Sequence, residues 1–272
     1  MTERQVRDHG MAVSRRALLI GLLGLETSSL TLAQDAPREV TVGFLRGYEP
    51  YSHIDGQGRL LGFDVDVTNR LCELLGCRMV AISDSLPGLL RRLQAGEIEW
   101  LGNQLLMTPE NRRQMDFVKP AYASIQLSAI QHEDDNRDFL SLDDLIGKRL
   151  GVLANSGIEA QARGALGRAV RAYEHIHDAL HDLAGQKLDL VIEENLIAEY
   201  HIEKHHLPLK VAAPFAAPIA VGLGVRKGHR QMNETLSNAV RQILKDGSFK
   251  PISEKWFGYD VSRSRVSHST LP

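Results

Sequence analysis

The chain reads as an α/β protein built from two compact lobes. Three observations lead there. From residue 38 onward, short β-branched runs alternate with amphipathic stretches of helical period, which argues for strand and helix layers over a bundle or sandwich. Glycines punctuate the ends of those stretches. And 272 residues with 43% hydrophobic content are enough to bury two cores.

The elements follow in order. Residues 39–44 alternate as a half-buried strand does, and a turn at Asp55-Gly56-Gln57-Gly58 follows. Residues 64–75 place Val65, Val67, Leu71, Cys72, Leu74 and Leu75 at helical spacing, with Gly76 suited to the end. Residues 78–82 read as a strand, 87–95 as a helix with Pro87 in its first turn and Gly96 behind it, and 98–101 as a third strand. Residues 125–130 make a further strand, and the acidic Glu133, Asp134, Asp135 and Asp138 mark a solvated loop.

A second set of elements begins at the apolar strand 151–153, after which Asn155 or Ser156 can cap a helix. Residues 188–192 are a buried strand and 218–226 an extended one. Met232, Leu236, Val240, Ile243 and Leu244 mark an amphipathic helix ending near Gly247, and 249–257 form a last short helix. The polar tail 262–272 has no pattern and is expected to be disordered.

The first 33 residues have the form of a cleavable export signal: Arg15-Arg16, an apolar run over 17–25, then a polar stretch ending at Ala33. Ser14-Arg15-Arg16-Ala17-Leu18-Leu19 also resembles a twin-arginine signal, so both export routes stay open. Cleavage after Ala33 would remove four Lys/Arg and three Asp/Glu, leaving 28 against 31 and a slightly acidic periplasmic protein. With a net charge of −2 there is no basic excess for nucleic acid, so a small-molecule partner is expected. The two cysteines, Cys72 and Cys77, give no disulfide framework; buried thiols are the plain expectation, with a local disulfide open in an oxidising compartment.

Four segments resemble one family. They are Tyr48-Glu49-Pro50-Tyr51 with Gly62-Phe63-Asp64-Val65-Asp66-Val67; residues 108–117 continued by Pro120-Ala121-Tyr122; residues 148–159 with 189–194 behind them; and residues 221–228 through Asp246-Gly247 to Lys255-Trp256-Phe257-Gly258. Together they are similar to the periplasmic solute-binding proteins of family 3, over about residues 39–260. The resemblance implies a type II periplasmic-binding-protein fold: residues 38–123 and 220–261 as the first lobe, 124–219 as the second, with hinge crossings near 123–127 and 217–221. It also implies capture of an amino acid or related amine for an inner-membrane ABC permease, by a monomer with no cofactor.

The implied ligand contacts are uneven. Glu194 stands where the family has an Asp for the ligand's ammonium, Ser156 where a small hydroxyl residue opens a helix, and Tyr48 where an aromatic wall is common. Asn111 replaces the Arg that grips the carboxylate, Leu106 a Thr or Ser, and Leu86 a stacking aromatic. An amide offers weaker donors and no charge, so losing the bidentate pair costs about 2–5 kcal/mol unless another group substitutes. Arg46 can reach the cleft from the loop before Tyr48, whereas Arg112 is turned away by its one-residue shift on a helix. Asn103 and Gln104 add polar groups at a strand end.

Two other chemistries have residues of the right type. His201 and His205 have metal-ligand spacing at i,i+4, but without a third ligand they read as an exposed polar face; His175, His177 and His181 read as solvated residues of a connecting segment. Glu193 and Glu194 are consecutive and point apart, so they make no obvious acid–base pair. An enzyme of dehydratase type, or an accessory protein of a dehydrogenase, is the alternative on the same fold.

Overall fold

The computed structural model describes residues 37–139, 142–154, 156–214 and 217–263. The expected export signal (1–33), Asn155 and most of the expected disordered tail (264–272) lie outside the described residues.

The first half runs β1 (Arg38–Leu45), β2 (His53–Ile54), β3 (Leu60–Leu61), α1 (Phe63–Leu75), β4 (Cys77–Asp84), α2 (Leu86–Ala95), β5 (Trp100–Leu106), α3 (Pro109–Gln114), β6 (Met115–Phe117) and β7 (Ala123–Ile125). The second half runs β8 (Leu127–His132), β9 (Leu150–Leu153), α4 (Gly157–Leu166), β10 (Val170–Tyr173), α5 (Ile176–Ala184), β11 (Leu190–Glu194), α6 (Asn195–His205) and β12 (Leu209–Pro214). The chain then finishes with β13 (Ile219–Arg226), α7 (Arg230–Lys245) and α8 (Phe249–Phe257).

Two main sheets result. The first has the order β4-β1-β5-β13-β6, with β7 also pairing β13; the second has the order β10-β9-β11-β8-β12. In the first, β4, β1 and β5 are parallel, while β13 runs antiparallel to β5, β6 and β7. Returning from the second sheet, the chain thus lays β13 beside strands made before it left.

Local chemistry explains the element ends. Ser85 and Thr108 cap α2 and α3 through their hydroxyls, each followed closely by a proline, and Gly76 leaves α1 in the left-handed region at φ 64°. Gly62 is required: its φ is 147°, and a Cβ there would sit 2.1 Å from the Tyr51 carbonyl oxygen. That close approach lets the Asp64 amide donate to the same carbonyl and fixes α1 against the loop carrying Tyr48 and Tyr51.

The buried faces match the periodicities. Leu71 of α1 packs with Leu236, Val240 and Ile243 of α7, while Leu89 and Leu93 of α2 pack with Ile98 and Leu101 on the opposite side. In the second sheet, Leu150, Val152, Leu190 and Ile192 face Ala162 of α4, and Val191 faces Ala179, Leu180 and Leu196.

Several expectations needed correction. The strand expected over 125–130 is two strands, β7 in the first sheet and β8 in the second, divided at Gln126. Gln126 exchanges hydrogen bonds with Asn195: its amide donates to Asn195 Oδ1 (3.0 Å) and its carbonyl accepts from the Asn195 amide (2.9 Å). A hydrophobic run carries no mark of that pin. The third strand is longer than expected and places Asn103 and Gln104 within β5, because β1 and β13 flank it. His175, His177 and His181 are not in a connecting segment: His175 caps α5 and the other two lie on it. Cys72 and Cys77 are both free; only Cys72 is fully buried.

Candidate functional site

The site grows from the loop after β1. The Tyr48 amide donates to the Ser52 carbonyl (2.8 Å) and the Ser52 amide to the Tyr48 carbonyl (2.7 Å), a tight bridge that leaves the Tyr48 and Tyr51 rings 4.8 Å apart. Asn103 anchors this loop to β5: its Nδ2 donates to Ser52 Oγ (2.9 Å) and to Asp64 Oδ2 (3.0 Å), and its Oδ1 accepts from the Leu45 amide (2.6 Å). Asp64 also accepts from the Gln104 amide (3.0 Å) and the Tyr122 hydroxyl (3.3 Å). Burial nonetheless pushes the Asp64 carboxyl up to about 7, against the lowering effect of those bonds.

From the other sheet, β11 delivers Glu194 to the same place. Register sets Glu194 opposite Leu127, at the start of β8 where the chain has just crossed between sheets. The Tyr48 hydroxyl lies 3.5 Å from both Glu194 oxygens. Burial, and then the neighbouring Glu193 charge, raise the Glu194 carboxyl to about 8. Glu193 is itself buried and raised to about 7, with Oε1 accepting from the Glu194 amide at 2.8 Å. Glu193 and Glu194 of β11, Asp64 of α1 and three tyrosines therefore share one junction, and the strongest electrostatic neighbours of Glu194 include no cation.

The remaining expected contacts fall in different places. Gln104 is buried, and its side-chain amide finds no hydrogen-bond partner among the described residues. Asn111 is half-buried and donates through Nδ2 to the Leu106 carbonyl (2.9 Å). Ser156 caps α4, accepting from the Glu159 amide (3.2 Å) and donating to the Leu153 carbonyl (2.6 Å). Arg46 is exposed, with its guanidinium 3.4 Å from the Ser83 carbonyl and its charge acting on Asp84. Arg112 turns away, donating to the Met107 carbonyl and lying over Phe117.

The sequence reading overlooked a second tie between the sheets. Glu49, beside Tyr48, accepts from Lys204 Nζ (2.5 Å) and the Tyr200 hydroxyl (2.9 Å), both on α6. Burial works to raise its carboxyl, but these two partners win and hold it below the usual range. Asp64 and Tyr122 were also missed as members of the site, although an acid in the first turn of α1 is a readable signal. His201 proves buried, not part of an exposed face.

Two sheets joined by paired crossings, with an acid from one and an aromatic from the other meeting at the junction, define the two-lobed class of α/β ligand receptors. Residues 40–259 match the bacterial extracellular solute-binding proteins, family 3, and the chain belongs to that family. It is 28% identical over 223 residues to the L-cystine-binding protein TcyJ of Escherichia coli, covering 82% of this chain and 84% of that one. It is 29% identical over 260 residues to the L-arginine-binding protein of Pseudomonas aeruginosa, covering 91% and 98%. Among solved structures, the L-cystine solute receptor of Neisseria gonorrhoeae in its unliganded open conformation superposes with a TM-score of 0.68 at 26% identity, covering 84% of this chain and 96% of that one. The fold is the type II periplasmic-binding-protein fold.

Proposed function

We propose that this chain is a periplasmic receptor that captures a small polar ligand, an amino acid or related amine, and hands it to an inner-membrane ABC permease. It does so as a monomer, without cofactor and without turnover. The observation that carries this reading is Glu194: a half-buried carboxyl at the junction of the sheets, faced by Tyr48 and other acids with no cation among its strongest neighbours. A ligand ammonium supplies the missing charge, and desolvation in the closed junction strengthens that pairing. The relatives named above are binding proteins, which supports binding over the dehydratase and accessory alternatives.

In this reading, lobe 1 (38–123 and 220–261) and lobe 2 (124–219) close over the ligand about the crossings near 123–127 and 217–221. Tyr48 supplies the wall, Gln104 its unpaired amide, and Ser156 with the start of α4 a polar end; Asn103 contributes by holding the Tyr48 loop in place. Asn111 offers only an amide where a guanidinium would grip a carboxylate, and Arg46, on the loop before Tyr48, is the cation proposed to substitute. Ligands without a free α-carboxylate therefore fit as well as ordinary amino acids.

A thermal-shift panel of amino acids, amines, carboxylates and sugars tests this, with Glu194→Ala as control. One ligand at a hundredfold excess over its Kd adds about 2.7 kcal/mol of stability. A shift lost in Glu194→Ala supports the reading. A panel with no shift contradicts it.

A further inference from the structure

Away from the junction, α5 and α6 pack side by side and bring four histidines together. His177 and His181 stand one turn apart on α5, and His201 and His205 one turn apart on α6. Ring centroids lie 6.5 Å apart for His177 and His201, 5.9 Å for His201 and His205, and 5.6 Å for His181 and His205. The four rings thus form a continuous row, His177 to His201 to His205 to His181, across the helix pair. We propose that His177, His181, His201 and His205 form a binding site for a transition-metal dication of the zinc or nickel type.

The geometry is near what coordination needs. Imidazole nitrogens at about 2.0–2.1 Å from a tetrahedral zinc place neighbouring ring centroids about 5 Å apart, so the present separations must shrink by about 0.5–1.5 Å. As they stand, no three described His, Cys, Asp or Glu side chains converge on a metal ion. The site forms by turning the rings of His177, His181 and His205, which are exposed. His201 is buried with Nδ1 lacking a hydrogen-bond partner among the described residues, an arrangement that costs stability unless something satisfies it.

The surroundings hold both signs of charge, with Lys204 opposing Glu49 at His201 and His205. Glu49 acts electrostatically on both His201 and His205, and His177 Nε2 lies 3.0 Å from Asp178 Oδ1. Neutral imidazoles prefer zinc, nickel and copper to the harder calcium or magnesium. The site does not include Tyr48 or Glu194, so it stands or falls independently of the ligand reading.

Calorimetric titration of the untagged, EDTA-stripped chain with ZnCl2 and NiSO4 at pH 7.5 tests it. The comparison is a His181→Ala, His205→Ala double variant, with His229→Ala as a control outside the cluster. Both replaced rings are exposed, and a thermal melt without metal verifies that the double variant folds. One saturable ion per chain is expected, weakened at least about tenfold in the double variant and unchanged in His229→Ala. A smaller loss in the double variant, or no saturable binding by the wild type, overturns the proposal.

Discussion

Tyr48 and Glu194, 146 residues apart in sequence, meet with the phenol oxygen 3.5 Å from both carboxylate oxygens. The contact joins the first sheet's loop to the last residue of β11, so what holds Glu194 also ties the two halves of the molecule together. It is an unfavourable place for a negative charge, and several consequences can be measured.

Stability without ligand should fall as pH rises from about 4.5 to about 8. Glu194 and Glu193 titrate near 8 and 7 in the folded chain but near 4.3 when unfolded, so the folded state holds more protons between those values. The stability these groups contribute is fully present below the unfolded pKa and is lost as pH climbs through the folded one. Scanning calorimetry should find Glu194→Gln melting above the wild type at pH 8, with the difference gone at pH 4.5. A wild type that gains stability over that range relative to Glu194→Gln would refute the buried-acid account.

Asn111→Arg should restore selectivity for a carboxylate. Asn111 now spends its amide on the Leu106 carbonyl, whereas a guanidinium at this helix position would offer a charged fork. The affinity for an α-amino acid, relative to the amine lacking its carboxyl group, should rise at least about tenfold, or 1.4 kcal/mol. Paired titrations of lysine and its decarboxylated diamine measure the ratio, and an unchanged ratio would mean that Asn111 does not face the ligand.

The layered α/β pattern and most element centres were legible because they rest on local periodicity: Val40, Val42 and Phe44 alternate into the core, and Leu236, Val240 and Ile243 recur at helical spacing. The motif around Thr108 and the position of Glu194 were likewise readable. What escaped depends on contacts between distant segments. Nothing near Gln126 announces its exchange with Asn195, so the two crossing strands read as one. Nothing near Glu49 announces Lys204, 155 residues on. His201 and His205 were visible as a pair and His175, His177 and His181 as residues of a connecting segment, but only the packing of α5 on α6 makes them neighbours.

Lys204→Ala should loosen the contact between the two halves. Lys204 and Tyr200 of α6 grip Glu49 beside the Tyr48 loop, a tie that crosses from one sheet to the other. Small-angle scattering of the ligand-free protein should give a larger radius of gyration for Lys204→Ala than for the wild type, and the two should converge once ligand is bound. Identical radii without ligand would show that this pair does not restrain the lobes.

The most direct test of the ligand role is a calorimetric titration of the wild type and Glu194→Gln with the amino acids and amines at pH 7.5. The account predicts saturable one-to-one binding of at least one compound carrying an ammonium group. Denying Glu194 the charge it takes on against a bound ammonium, while keeping its shape, should weaken that binding by about 2–5 kcal/mol. Binding that survives Glu194→Gln at full strength, or a wild type that binds none of these compounds, would contradict the claim that Glu194 recognises the ligand's cationic nitrogen.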